Sequence, residues 1–130
     1  MEPVFLTLAE VLEIHRDQID RYGGDPNVRD EGLLRSAVAM PAATFDGQFL
    51  HADLFAMAAA YLFHLVQNHP FVDGNKRAGA VAAIVFLELN GIELDASEDE
   101  LEALVLSTAQ SQTDKAAIAE FFRHKSHATR

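Results

Sequence analysis

The sequence predicts an all-α domain, and three features of the chain support this fold class. Apolar residues recur at helical spacing along most of the chain, strand signals are nearly absent, and helix-start and helix-stop residues divide the sequence into short segments. The chain has 130 residues, of which 49% are apolar, and no segment is of low complexity. We therefore expect a single domain over residues 1–130 with a sizeable core.

The first predicted helix begins after Thr7, because Thr7 and Glu10 have capping-box spacing. It ends at Tyr22–Pro26, a segment with two glycines and a proline. A second helix is predicted from Asp30 to Met40. The segment Pro41–His51 that follows has no helical periodicity, so we predict an irregular loop or a small hairpin there.

The third and fourth predicted helices are the most apolar. The third spans about Ala52 to Asn68 and ends near His69, because Pro70 disfavours α geometry in the residue before it. The fourth runs from about Asn75 to Leu89. Since its middle is apolar on every side, we expect this fourth helix to be central and surrounded by the others.

The last third of the chain predicts two more helices. Ser97 has capping-box spacing with Glu100 and starts a fifth helix that ends at about Ala109. Thr113 is predicted to cap a sixth, which continues to about His124. Residues 91–94 could form one short edge strand, and the polar tail over 125–130 is expected to be frayed.

Composition and charge exclude several classes of function. The net charge is −10 and no basic stripe is present, so we expect no direct contact with nucleic acid. The chain has no cysteine, no visible signal peptide, and apolar windows too short for a membrane span. These observations predict a cytoplasmic protein without membrane contact.

The run "HPFVDGNKR", His69–Arg77, carries the most informative chemistry. It places Lys76 and Arg77 in the opening turn of a helix, where the macrodipole is already positive, and each such contact costs roughly 0.3–1 kcal/mol. A phosphate group would compensate, because a helix start presents unpaired N–H groups and Gly74 lets the backbone approach a ligand. The pattern predicts an anion site.

The neighbouring side chains suggest what such a site could do. Asp73 has the type of ligand that Mg²⁺ prefers alongside phosphate oxygens. His69 carries an imidazole, the side chain that most often accepts a hydroxyl proton near neutral pH. Together they suit phosphoryl or nucleotidyl transfer to a hydroxyl group, whereas Phe71 is expected to be a core anchor.

Other interpretations of these residues remain. A histidine at a helix end is often a cap, Asp-Gly-Asn is often a turn, and Lys-Arg is often a solvated face. No phosphate-binding P-loop motif is present. A metal-hydrolase site built from His51, His64, His69 and Asp73 fails because no His-x-x-x-His pair exists. The remaining histidines are predicted to be surface or packing residues: His15, His124 and His127.

The run "HPFVDGNKR" resembles the signature of the Fic/Doc (Fido) superfamily, in the form of the death-on-curing (Doc) toxins. The segments "EIHRDQIDRYGG", "VRDEGLLRSAV" and "FLELNG" are also similar to Doc proteins, so the resemblance covers roughly residues 5–120. It implies a compact Fido-type bundle of about six helices around a central buried helix, with a short flap loop.

Two departures from the adenylylating Fic pattern point to the Doc branch. Lys76 stands where that pattern has its second glycine, and Ala80 stands where it has its final arginine. The resemblance then implies ATP bound in a reversed sense and transfer of its γ-phosphoryl group to a protein hydroxyl. The family target is a threonine of translation elongation factor Tu, so translation would be inhibited.

The resemblance also implies roles for individual residues. His69 would be the base and Asp73 the Mg²⁺ ligand, and Lys76 and Arg77 would share in catalysis. Phosphate would be bound by Asn75, Lys76, Arg77 and the backbone of Gly74. The target-docking flap would include Thr44, Phe45, Asp46 and Gly47.

Regulation is expected to come from outside the chain. Self-restrained Fic proteins carry an inhibitory helix with a Ser/Thr-x-x-x-Glu-Gly/Asn pattern, and the nearest candidate, residues 27–32, begins with Asn27 instead. The resemblance therefore implies a separate antitoxin whose peptide folds into a groove, in a type II toxin–antitoxin module. Two rival functions stay open: Fic-like transfer of AMP through His69, and a catalytically silent Fido domain that only binds a partner.

Overall fold

The computed structural model describes residues 2–129, which form six α-helices and two small antiparallel sheets. The helices are α1 (Leu8–Tyr22), α2 (Glu31–Ala39), α3 (Leu54–Asn68), α4 (Asn75–Leu89), α5 (Glu98–Ala109) and α6 (Lys115–Lys125). The strands are β1 (Thr44–Phe45), β2 (Gln48–Phe49), β3 (Ile92–Leu94) and β4 (Ser126–Ala128). The predicted compact, mostly helical fold is confirmed.

Side-chain caps begin five of the six helices in residues 2–129. The capping residues are Thr7, Asp30, Asp53, Ser97 and Asp114. Both predicted capping boxes form. The predicted Thr113 cap of α6 is wrong by one residue, because the Asp114 carboxylate accepts from the Ala117 N–H while the Thr113 hydroxyl contacts Ser107.

The central helix is α3 and not α4, which corrects the expectation from the sequence. Helix α3 contacts α2, α4, α5 and α6, and eight of its residues are buried. The uniform apolarity of α4 reflects its contacts with α1, α3, α5 and β3 together. Helices α3 and α4 approach closely at Gly79, where an added Cβ would lie 3.1 Å from Val66 Cγ2 and 3.2 Å from the Leu62 carbonyl oxygen.

The segment between α2 and α3 is the predicted small hairpin. Strands β1 and β2 pair antiparallel, and the connecting Asp46 and Gly47 both have positive φ, 54° and 79°. Two such residues make the tight turn that matches strand twist, and Asp-Gly is a strong signal for it. Phe45 is 75% exposed at the tip of this hairpin, which we call the flap (residues 44–49).

The C-terminal tail is ordered over residues that the sequence predicted to be frayed. Residues 126–128 form β4, which pairs antiparallel with β3 at residues 92–94. The Lys125 ammonium also forms an ion pair with Glu100 at 2.7 Å. Residue Arg130, the end of the predicted frayed tail, lies outside the described residues.

Within residues 2–129, no helix combines the length and the apolarity that crossing a membrane requires. The longest described helices have 15 residues.

Candidate active site

The motif His69–Arg77 forms the end of α3, a loop and the first turn of α4. His69 is the C-cap of α3 in the left-handed conformation, with φ 49° and ψ 53°. A residue with a Cβ pays about 1–2 kcal/mol in this conformation. The His69 side chain is exposed, so the imidazole at this turn is open to a substrate.

The buried Asn75 side chain closes the loop from within. Its Nδ2 donates to the Phe71 carbonyl at 3.0 Å, and its Oδ1 accepts from the Phe71 N–H at 2.9 Å. Phe71 itself is fully buried, as expected for a core anchor. The loop therefore uses Oδ1 and one N–H of the buried Asn75 amide, and the Asn75 backbone N–H remains a donor for a phosphate.

Helix α1 supports the loop from the other side through His15. The imidazole of His15 is 2% exposed, stacks on the Phe71 ring at 3.6 Å between centroids, and donates from Nε2 to the Asp73 carbonyl at 2.7 Å. Burial, with the nearby Arg77 charge, lowers the pKa of His15, so the ring is kept neutral. His15 is a packing residue, as predicted, but one that also fixes the loop.

The Arg77 side chain does not lie beside Lys76 at a common ligand site; it extends towards the C-terminal end of α1. Its guanidinium donates to the Gly23 carbonyl at 3.1 Å and the Gln18 carbonyl at 3.4 Å, and lies 5.6 Å from the Tyr22 ring centroid. These carbonyls form the negative end of the α1 dipole. The conflict that the sequence suggested between Arg77 and the α4 dipole is thus relieved inside the fold.

For Lys76 the unfavourable contact with the positive end of the α4 dipole remains. This lysine is exposed and forms no hydrogen bond or ion pair with the part of the chain that the structure describes. Helix α4 begins at Gly74 (φ 80°) without a side-chain cap, and no described residue accepts from the backbone N–H groups of residues 75–77. A positive helix end with unpaired N–H donors and an unpaired ammonium group is a candidate anion site.

A cleft of about 490 Å³ opens at this helix end. One side consists of residues 74–77 and Ala80, and the other is a largely apolar face of α5 with Glu102 at its edge. The residues from α5 are Leu101, Glu102, Val105 and Leu106. The sequence did not identify this wall, because no local signal shows which neighbour a helix end will face.

Residues 5–87 match the sequence profile of the Fic/DOC family. This chain belongs to the Fic/Doc family. It is 44% identical over 100 residues to a protein named Toxin Doc from Mycolicibacterium smegmatis. The aligned residues cover 75% of this chain and 77% of that protein. It is 31% identical over 114 residues to a protein named Protein kinase doc from Escherichia phage P1. The aligned residues cover 88% of this chain and 89% of that protein.

The two residues that depart from the adenylylating Fic pattern lie together in the structure. Lys76 and Ala80, which replace a glycine and an arginine of the adenylylating pattern, both line the cleft at the start of α4. His69 and Asp73 do not line it, and lie along the loop that leads to it. The motif residues therefore divide into a cleft group, 74–77, and a loop group, 69–73.

Asp73 has one carboxylate oxygen available for a ligand. Its Oδ2 accepts from the Asp25 N–H at 2.8 Å, whereas its Oδ1 forms no hydrogen bond with residues 2–129. The side chain is exposed and directly precedes Gly74. One free carboxylate oxygen beside the candidate anion site would suit Mg²⁺, which takes one or two carboxylates and completes its shell with phosphate oxygens and water.

Two of the three histidines in the rejected metal-hydrolase set, His51 and His64, lie together away from the motif. Lys115 Nζ donates to His51 Nε2 and to His64 Nε2, each at 3.0 Å. Burial and the Lys115 charge lower the pKa of both histidines, that of His64 to about 4. Across residues 2–129 this pair has no carboxylate within metal-binding range, and the group whose atoms are close enough is the exposed Glu93, Asp95 and His127.

Proposed function

We propose that this protein is a Doc-type toxin that transfers the γ-phosphoryl group of ATP to a serine or threonine hydroxyl of a protein target. The observation that carries the proposal is the uncapped first turn of α4, with its free N–H groups, the unpaired Lys76 and the adjoining cleft. The name of the phage P1 relative, a protein kinase, favours phosphoryl transfer over transfer of AMP.

The proposed reaction is an in-line transfer of the γ-phosphoryl group to the target hydroxyl. The target hydroxyl oxygen bonds to the γ-phosphorus while the bond from that phosphorus to the β–γ bridging oxygen breaks. His69 takes the hydroxyl proton, and ADP leaves with the electrons of the broken bond. Mg²⁺ held by Asp73 would neutralise part of the phosphate charge.

The remaining residues would orient the nucleotide and the target. The N–H groups of residues 75–77 and the Lys76 ammonium would bind phosphate oxygens, and Arg77 would act mainly by fixing α4 against α1. The flap offers the exposed Phe45 beside an unpaired strand edge, which suits an extended target segment. By family likeness the target would be translation elongation factor Tu, in the cytoplasm, with a separate antitoxin peptide as the second partner.

Position-specific labelling tests this proposal. The protein is incubated with a translation extract and with ATP labelled at either the γ or the α phosphorus, and labelled proteins are resolved. The proposal predicts that γ label is retained on a target and α label is not. Retention of α label would instead establish nucleotidyl transfer.

A variant at His69 separates an enzyme from a silent binding domain. His69→Asn keeps a residue that tolerates the left-handed conformation but removes the base. We expect labelling to fall by about 10²–10⁴-fold while the protein stays folded. If the folded variant labels the target and arrests growth as wild type does, His69 is not the base.

A further inference from the structure

The segment before α2 holds the turn that carries His69. Residues 27–30 run antiparallel to residues 70–72, through a bridge between Val28 and Phe71 and a bond from the Val72 N–H to the Asn27 carbonyl at 3.0 Å. This is the segment that the sequence singled out as a failed match to an inhibitory helix. In the fold it lies directly against the motif loop.

Arg29 binds three consecutive carbonyls of this turn. Its Nη2 donates to the Asn68 carbonyl at 3.0 Å, its Nε to the His69 carbonyl at 2.7 Å, and its backbone N–H to the Pro70 carbonyl at 2.7 Å. Helix α3 has no basic residue in its own last turn. Arg29 therefore supplies, from 40 residues away, the cation that the negative end of α3 favours.

The contacts match what the His69 conformation needs. A non-glycine residue stays in the left-handed region only where its surroundings over-determine the backbone. The Asn68 and His69 carbonyls belong to the two peptide planes that set the φ and ψ of His69, so the Arg29 guanidinium holds both planes. Arg29 forms no ion pair with a carboxylate in residues 2–129, so its guanidinium is committed to these carbonyls.

We propose that Arg29 is a positioning residue that holds the peptide planes around His69 and so aims the imidazole at the reacting hydroxyl. This inference rests on the proposed function, in which His69 is the base. It assigns Arg29 no contact with ATP, because the guanidinium binds backbone on the loop side of the motif and does not line the cleft. Loss of Arg29 should therefore slow the chemical step and leave nucleotide binding intact.

The test compares Arg29→Met, Arg29→Gln and Arg29→Lys with a matched control, Arg35→Met. Arg35 is another exposed arginine, paired with Glu31 on α2, and its loss removes the same charge without touching the turn. For each protein we would measure kcat, the KM for ATP, the melting temperature, and the ¹³Cα shift of His69 as a reporter of its backbone conformation.

We expect Arg29→Met to lower kcat by about 10–100-fold, as misplacement of a reacting group does, with the KM for ATP within about twofold of wild type. Arg29→Gln and Arg29→Lys should recover part of the rate, since each retains donors for a carbonyl. Arg35→Met should match wild type. The His69 ¹³Cα shift should move in Arg29→Met and stay in Arg35→Met.

Two results would overturn the inference. One is a folded Arg29→Met with wild-type kcat, and the other is a raised KM for ATP at unchanged kcat, which would make Arg29 a nucleotide ligand. If Arg29→Met does not fold, Arg29→Gln is judged by the same criteria. If wild type transfers no label at all, the proposed function fails, and an unmoved His69 ¹³Cα shift would then overturn the positioning role separately.

Discussion

The first turns of α4 and α6 each carry a lysine and no acidic residue, yet the fold treats them differently. Helix α6 is capped by the Asp114 carboxylate, and Lys115 donates to two neutral histidines. Helix α4 begins at a glycine with no side-chain cap, and Lys76 has no partner in residues 2–129. The comparison teaches that a cation at a helix start indicates a ligand site when the fold gives that cation no partner.

The comparison also separates Lys76 from its sequence neighbour. Arg77 finds compensation at the carbonyl end of α1, as Lys115 does at its histidines. Among these three cations, Lys76 is the one that is exposed and has no partner within residues 2–129. We therefore expect ligand binding to depend on Lys76, and folding to depend on the other two.

The largest effect should come from Lys76→Ala with Lys115→Ala as its matched control. A charge-assisted bond to phosphate is worth about 1.5–3 kcal/mol, so Lys76→Ala should weaken ATP binding by about 10–100-fold. Its stability should change by less than about 0.5 kcal/mol, as for an exposed side chain. Lys115→Ala should leave ATP affinity within about twofold.

Calorimetric titration with Mg-ATP and urea unfolding of the same proteins check this pair. A strongly lowered melting temperature with unchanged ATP affinity in Lys76→Ala would show that Lys76 acts in folding. The two helix starts would then not differ in function.

A smaller effect is expected from acid at the group formed by Lys115, His51 and His64, which we call the α6 cluster. The pKa of His64 is held at about 4 by burial and by Lys115, whereas the unfolded chain binds that proton near pH 6.5. The unfolded state therefore binds more protons between these values, and the free energy of unfolding should fall as the pH drops from 6.5 to 4. We expect a loss of about 1–2 kcal/mol after allowing for solvent around this half-buried ring.

Urea unfolding at several pH values measures this slope. His64→Gln should reduce this slope, because it removes the ring whose pKa burial and Lys115 lower to about 4. An equal slope in wild type and His64→Gln would show that the α6 cluster does not control acid stability.

The smallest effect is expected for the contacts of Arg77. Arg77→Met removes two donors to the end of α1 and should lower the free energy of unfolding by about 1 kcal/mol. Lys76→Met, the neighbouring substitution, should change it little. Equal stability of the two variants in urea would remove the structural role that distinguishes Arg77 from Lys76.

Local signals made much of the fold predictable. The capping boxes at Thr7 and Ser97, the helix stop before Pro70 and the Asp-Gly turn at residues 46–47 are each set by a few adjacent residues. They gave helix bounds for α4 and α5 that agree with the structure. The order of the tail was missed because β4 depends on pairing with β3, more than 30 residues earlier.

The motif of the site was predictable from the sequence, but the residues that surround the motif in the fold were not. The residues of His69–Arg77 carry recognisable chemistry in sequence, but their supports come from distant segments: His15 from α1, Arg29 from the segment before α2, and the apolar wall from α5. That α3 is the central helix, and not α4, was missed for the same reason, since periodicity measures apolarity and not the number of neighbours.

The most direct test of the central claim is an amide spectrum recorded while Mg²⁺ and a non-hydrolysable ATP analogue are added to the ¹⁵N-labelled protein. The claim is that the uncapped first turn of α4 binds phosphate. It predicts large, saturable shifts for the amides of Asn75, Lys76 and Arg77, with the amides of the capped first turn of α6 unmoved. Saturable binding that leaves residues 75–77 unshifted would contradict it.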